Sequence, residues 1–294
     1  EVSGIPAANQ GSTRPCGLIT GTTVWTSTGS PYQVNCNIVV DQGARLIIGP
    51  DVQVNWESSK TLRVDGSLAV LGTLDNRVSL SAAYATSTAA SKPQIVYSPT
   101  AISSATSAHD NAYLGGSLFT NAHLADLTIE APSSDVVAIR CEFDRLDISA
   151  KSLSFQASQL QGGTLIVHDV LRLTHSAVME HSDLRGGECH LDNSTFAYNT
   201  SPMRCENAEV VGCDFEDNTA THHPTAGLLI DLWNCTPDLK RYPLATVRDS
   251  RFVNNQRSPQ NSGQVCGSSA FAGGAISLCD SCGARPIVLV SGSE

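Results

Sequence analysis

The chain has 294 residues, of which 41% are hydrophobic, 5% aromatic and 16% charged, with a formal net charge of -10. That is material for one large or two modest domains with a real core and a surface of Ser, Thr, Asn and Gly. The acidic balance, without any basic run, argues against nucleic acid or anionic lipid as a partner, and no apolar run approaches the roughly 20 residues that cross a bilayer.

The sequence opens at Glu1 without an initiating Met, as a chain with a cleaved leader or an excised fragment would. Residues 1–22 read as an N-terminal segment able to cap the first strands. From Ser30 to Ala82 short β-type runs alternate with turn signals: "NIVV", "ARLII", "VQVNW", "KTLRV", "SLAVLG" and "RVSLS", split by "DQG", "GPD", "DG" and "LDN". Strands of about four or five residues are expected, with no room for ordinary helices. Between Ala82 and Gly116 a Ser/Thr/Ala tract predicts a long loop around one strand, "QIVY".

Beyond this tract one phrase recurs, Ser/Cys–x–Phe/Leu–x–x–Asn/Gly. It fits "SQLQGG" at Ser158, "SDLRGG" at Ser182, "STFAYN" at Ser194, "CDFEDN" at Cys213 and "SRFVNN" at Ser250, with a degenerate copy, "CEFDRL", at Cys141. In a strand, residues two apart face one side, so the Ser/Cys and the Phe/Leu both point inward. The Asn or Gly falls where the chain bends, tolerates a left-handed conformation, and can hydrogen-bond along a stack. The phrase is then one rung, and unequal spacers are loops: starts differ by 17, 24, 12, 19 and 37 residues. Gly-led strands alternate with these rungs: "GGTLIV", "GGECHL", "GLLIDL" and "GGAISL". "THHPTAG" and "TPDLKRYPL" read as projecting loops around "GLLIDLW". The closing "PIVLVSGSE" resembles a strand and the start of another rung, so more coils or a stacked partner are expected after Glu294.

The alternation of Gly-led and "S-x-F-x-x-N" strands resembles the right-handed parallel β-helix of the pectin-lyase-like superfamily, from roughly Thr23 to Val290. The later copies look most like those of bacterial surface proteins. The resemblance implies an all-β solenoid over residues 23–294 with long loop insertions, and the Leu160, Leu184, Phe196, Phe215 and Phe252 side chains in one core. It implies little about activity, because this fold carries lyases, hydrolases, adhesins and inert stalks. The hydrolase signatures "NTD", "DD", "GHG" and "RIK" are absent, and the acids are scattered and mostly at turns, with Asp169 and Asp192 one pair that stacking could unite.

Ten cysteines point to an oxidising compartment. On the coil reading, Cys189 and Cys205 are stacked neighbours one coil apart, within disulfide reach. Cys16–Cys36 ties the N-terminal segment to the first coil, and Cys235, Cys266, Cys279 and Cys282 supply two further bridges. Cys141 and Cys213 share the inward rung position, with other rungs between them, and should not pair. The C-x-x-C at Cys279–Cys282 has no second pair at zinc-ribbon spacing. His168, His175, His181 and His190 have spacings that spread them over different faces, as exposed residues without a common metal. Asn193, Asn199 and Asn234 begin N-glycosylation sequons. No threonine column of ice-binding type recurs. The expectation is therefore a secreted or cell-surface structural or adhesive glycoprotein, with no cofactor and with extracellular or filament subunits as end-to-end partners. The alternative is a carbohydrate-binding or polysaccharide-degrading β-helix protein.

Overall fold

A computed structural model describes residues 12–83, 92–102, 105–106, 113–220, 226–231, 244–257, 276–279 and 287–292. Among these residues the regular structure is β, apart from one short 3-10 turn at Ser27–Gly29. The chain divides into two compact units, Glu1–Gln159 and Leu160–Glu294.

In the first unit each of the six runs between Asn37 and Ser81 forms a strand: Ile38–Val40, Arg45–Ile48, Gln53–Trp56, Thr61–Val64, Ser67–Leu71 and Val78–Ala82. None pairs with its sequence neighbour. Each bonds in parallel to a strand in the next tier of the chain, and three ladders result. The first runs through Gly17–Ile19, Ile38–Val40, Thr61–Val64 and Gln94–Tyr97 into Thr128–Ile139. The second joins Thr22–Trp25, Arg45–Ile48, Ser67–Leu71 and Leu118–Thr120. The third joins Tyr32–Val34, Gln53–Trp56, Val78–Ala82, Ala122–Ala125 and the start of Glu142–Gln156. Pairing thus begins inside the segment expected to cap the first strands, with a parallel bridge from Thr13 to Tyr32 and then the strand Gly17–Ile19. The disulfide Cys16–Cys36, Cα–Cα 5.7 Å, locks that strand beside Ile38–Val40. The one antiparallel pair among the described residues, Ala105–Thr106 with Tyr113–Gly115, lies in the Ser/Thr/Ala insertion.

Alternation along each strand decides the interior. Leu46 and Ile48 are buried and Ile47 faces out; Leu62 and Val64 are buried and Arg63 is exposed. Burying one such aliphatic side chain stabilises by about 1.5–3 kcal/mol, which short strands need because their hydrogen bonds alone contribute little net.

The second unit repeats the scheme with a sharper register. Leu165, Leu184, Met203, Leu228 and Ile276 align as one column of a parallel ladder. Val170–Thr174, Glu188–Asp192, Asn207–Val211, Leu244–Arg248 and Ile287–Ser291 align in a second. Ala177–Met179, Thr195–Ala197, Asp214–Glu216 and Arg251–Val253 form the third.

This register corrects the sequence reading of the repeat. Leu184 pairs with Leu165 and Met203, so the phrase at Ser182 belongs to a Gly-led ladder and is no rung. The true rung there is "SAVMEH" at Ser176, where Val178 stands opposite Phe196. A further rung, "AHLADL", starts at Ala122. With starts at residues 122, 141, 158, 176, 194, 213 and 250, spacings become 19, 17, 18, 18, 19 and 37. From Ala122 to Cys213 the period is regular, and the insertion in this series falls before Ser250. Leu160, Leu184, Phe196 and Phe215 are buried as expected; Phe252 is half-buried.

Candidate functional site

The rungs converge on two corners, and these hold the most elaborate chemistry of the molecule. Each rung is bracketed by two residues with left-handed backbone. In the second unit these are His175 and Glu180, Asn193 and Tyr198, Gly212 and Asp217, and Asp249 and Asn254. The left-handed residue therefore precedes the rung Asn, and the Asn itself is released for side-chain bonding. Non-Gly residues at such φ values cost stability individually, so they persist only where the surrounding bonds over-determine them.

At the first corner the rung Ser hydroxyl acts twice. Ser194 Oγ accepts from the Ser176 N–H at 3.1 Å and donates to the Asp192 carbonyl at 2.9 Å. Ser250 Oγ likewise accepts from Cys213 N–H and donates to Arg248 O, and Ser158 Oγ accepts from Cys141 N–H and donates to Gln156 O. Cysteine replaces serine at two rungs, with the Cys141 and Cys213 thiols donating weakly to Ile139 O and Val211 O. Both thiols are buried and free. Burial pushes them up to about 12 for Cys141 and about 11 for Cys213, so neither is a thiolate nucleophile at neutral pH.

At the second corner Asn199, Asn218 and Asn255 form a buried amide ladder. Asn199 Nδ2 donates to Asn218 Oδ1 at 2.9 Å, and Asn218 Nδ2 donates to Asn255 Oδ1 at 2.8 Å. Each Oδ1 also accepts a backbone N–H from the preceding tier: His181, Asn199 and Asn218 in turn. The second amide hydrogens reach the carbonyls of Val178, Phe196 and Phe215. Beside the ladder, Phe196, Phe215 and Phe252 stack with centroids 4.7 Å apart and planes within 6° of parallel. Strand spacing dictates that distance.

The cysteines fall into two groups. Cys189–Cys205 is a disulfide, Cα–Cα 6.0 Å, buried at both ends. Its geometry differs from direct stacking: Cys189 stands opposite Ala208 and Cys205 opposite Gly186, so the bridge crosses the ladder diagonally. Gly186 makes the room, since a Cβ there would lie 2.7 Å from the Cys189 sulfur. Cys235, Cys266 and Cys282 lie outside the described residues, as does Asn234. Cys279 ends the strand Ile276–Cys279, aligned with Asp231.

The remaining sequence candidates separate. His181 is 2% exposed, not a surface histidine, because it takes the inward Asn position of its rung. His175 is exposed, and His190 faces out beside Glu188 and Glu209. Among the described residues no three metal-binding side chains are arranged so that they could hold a metal ion, the two carboxylates beside His190 contacting opposite nitrogens of its ring. Asp192 aligns with Thr174 and Val211, not with Asp169. The acids that do meet share an arginine instead. Asp126 and Asp144 both bond Arg145, and Asp214 and Glu216 both bond Arg251. The Arg145 guanidinium holds the Asp126 carboxyl below the usual carboxylate range. Of the sequons, Asn193 is exposed at its corner, while Asn199 is 1% exposed with its amide inside the ladder. That burial takes Asn199 out of the accessible set in the folded chain. Sequence reasoning missed the Ser176 rung because Val178 and His181 stand where the phrase has Phe/Leu and Asn/Gly, and the Ala122 rung because Ala122 and Leu127 stand where it has Ser/Cys and Asn/Gly; the 17- and 19-residue steps between other rungs were the available signal.

No protein-family model matches the chain, and neither a curated protein nor a solved structure does. No helix among the described residues is long and apolar enough to cross a membrane. The two disulfides fit an extracellular protein.

Proposed function

We propose that each unit is a right-handed parallel β-helix of the pectin-lyase-like kind, and that the protein is a structural or adhesive segment of an extracellular protein or filament. The observation carrying this is the use of side chains. In tier after tier the polar residues of the corners serve the next tier, through the Ser bonds and the Asn199–Asn218–Asn255 ladder. An architecture whose repeats each stabilise their neighbours is suited to extension and load. Right-handedness follows from the strong preference of parallel crossovers.

Partners of like kind are supported by strands paired on one side among the described residues. Gly17–Ile19 and Thr22–Trp25 carry exposed Leu18 and Val24, and Ile287–Ser291 carries exposed Leu289 and Val290. Such edges accept added strands when charge does not block them. One observation favours the second reading, a polysaccharide-binding β-helix. Gln33, Asn55 and Ser81 align in one outward row of the first unit, with Gln53 and Ser79 beside them, a neutral surface of amides and hydroxyls.

Sedimentation velocity over a concentration series separates the two. Reversible association weakened by Leu289→Lys supports the scaffold. A strict monomer that binds or cleaves pectate or a related uronan, with or without Ca²⁺, replaces it with the polysaccharide reading.

A further inference from the structure

Two sequons stand six residues apart on one rung, Asn193-Ser194-Thr195 and Asn199-Thr200-Ser201, and the fold treats their amides in opposite ways. Asn199 Nδ2 spends both hydrogens inside the core, one on Val178 O at 3.1 Å and one on Asn218 Oδ1 at 2.9 Å. A sugar on that nitrogen would remove one of the two bonds and place a bulky polar group where the side chain is 1% exposed. Losing a buried amide bond leaves its partner unsatisfied, and the bulk of the sugar adds a steric penalty to that loss.

Asn193 stands on the opposite corner. It is exposed, its backbone is left-handed with φ 45°, and its Nδ2 makes a single bond to Asp192 Oδ1 at 2.9 Å. One hydrogen can be replaced and one retained. The next tier meets the carboxamide on its oxygen side. The residue following Asn193 in the corner column is Gly212, which adds no side chain, and a Cβ there would lie 2.7 Å from Asn193 Oδ1. The preceding corner residue, His175, is itself exposed. The oxygen of the amide thus packs on the glycine, while the residue as a whole stays exposed and its Nδ2 has only the Asp192 bond.

We propose that Asn193 is an N-glycan acceptor of this protein, and that Asn199 is denied to modification by folding. The donor class is an oligosaccharide carried on a polyprenyl diphosphate. The Asn193 Nδ2 forms a bond to the anomeric carbon; the bond from that carbon to the diphosphate oxygen breaks, the diphosphate leaves with the electron pair, and one amide proton passes to solvent. The glycan then projects from the corner between the ladder that holds Asp192 and the rung that starts at Ser194. A bulky surface group at this place fits the general position of N-glycans on folded chains. The inference leans on the extracellular reading only for passage through a secretory route, which the experiment supplies independently.

The chain is to be expressed with a cleavable secretion signal in a eukaryotic host, in an Asn234→Gln background so that the third sequon is silent. Sites are mapped by glycosidase release in heavy-oxygen water, followed by peptide mass spectrometry. Secreted and cell-retained pools are both read, restricted to molecules in which Cys189–Cys205 is oxidised. The expected result is one glycan, on Asn193, with none on Asn199. Thr195→Ala, which leaves Asn193 and its neighbours in place, abolishes it without changing the unfolding midpoint by more than the glycan's own effect. An unmodified Asn193 in the oxidised molecules overturns the proposal. So does a glycan on Asn199 in those molecules.

Discussion

The second corner of the rung is built on one backbone device in both units, yet the side chains that finish it differ. In the first unit the left-handed residues are Asp126 and Arg145, followed by buried Leu127 and Leu146. In the second they are Glu180, Tyr198, Asp217 and Asn254, followed by His181, Asn199, Asn218 and Asn255. The first unit plugs the corner with aliphatic groups and ties its rim with an ion pair from Arg145 to Asp126 at 2.8 Å. The second runs a hydrogen-bonded amide ladder through the same place. The ring column follows suit: Tyr32, Val54, Leu80, Leu124 and Phe143 align in the first unit, and Val178, Phe196, Phe215 and Phe252 in the second. The fold thus demands the left-handed turn and leaves its chemistry open.

If that is right, the second unit depends more steeply on its columns. Phe215 is stacked on both faces, so Phe215→Ala should cost about 4 kcal/mol by removing buried ring area and opening a cavity. Leu124→Ala in the equivalent column should cost about 3 kcal/mol. Guanidinium titrations of both variants measure the difference. Equal losses would mean that neither the larger buried area of the ring nor its stacking makes the second unit depend more steeply on its column.

Next comes Asn218→Ala, expected to cost about 3 kcal/mol. It strands the Asn199 N–H and amide donors and the Phe196 carbonyl at once. Loss of less than about 1 kcal/mol would show that water enters the corner and replaces the ladder.

Much of this was written in the sequence, and the failures have a common cause. The strands between Asn37 and Ser81 were legible because buried faces alternate with period two and the turns carry Gly, Asp or Asn. The stacking of Asn199, Asn218 and Asn255 was legible because an Asn recurred at one offset from a Phe. The Ser176 rung was not, since Val178 and His181 satisfy the same inward positions with different chemistry. The Ala122 rung lacked the Ser, the ring and the Asn together, and only register reveals it. The phrase at Ser182 misled in the opposite direction: its Ser and Leu mimic a rung, whereas Leu184 belongs to the ladder of Leu165 and Met203. The choice between Asn193 and Asn199 as exposed sequons also lay beyond the sequence, because both are turn residues beside a rung and only stacking buries one.

A stricter test of the two corners moves one chemistry into the other unit. Leu146→Asn alone places an amide in an aliphatic corner and should cost about 2–3 kcal/mol. Leu127, one tier away at the same corner, is the natural partner. In the Leu127→Asn/Leu146→Asn double variant the two amides can bond each other, so the loss should fall short of the sum of the single losses by about 1 kcal/mol. Strict additivity would mean that the ladder needs the left-handed residues of the second unit in their own geometry.

The smallest effect is the one that acid should reveal. Asp126 is held below its ordinary pKa of 3.8, first by its hydrogen bond to Arg145 and then by the charges of Arg145 and Lys92, against a desolvation effect of opposite sign. A carboxyl depressed in the folded state binds protons more readily when unfolded. Its contribution is therefore fully present above pH 3.8 and fades as pH falls through the lower folded value. Arg145 is 57% exposed and Asp126 21%, so water screens the pair and its worth is about 0.5–1 kcal/mol. The amide ladder does not titrate in this range, which confines the effect to the first unit's corner. Arg145→Met should thus cost about that much at pH 7, less in high salt, and progressively less as pH falls below 3.8. The quantity to follow is the gap in unfolding free energy between the variant and the parent protein as pH is lowered. A gap that stays constant down to about pH 2 would assign the cost to the packing of the Arg145 stem rather than to its charge.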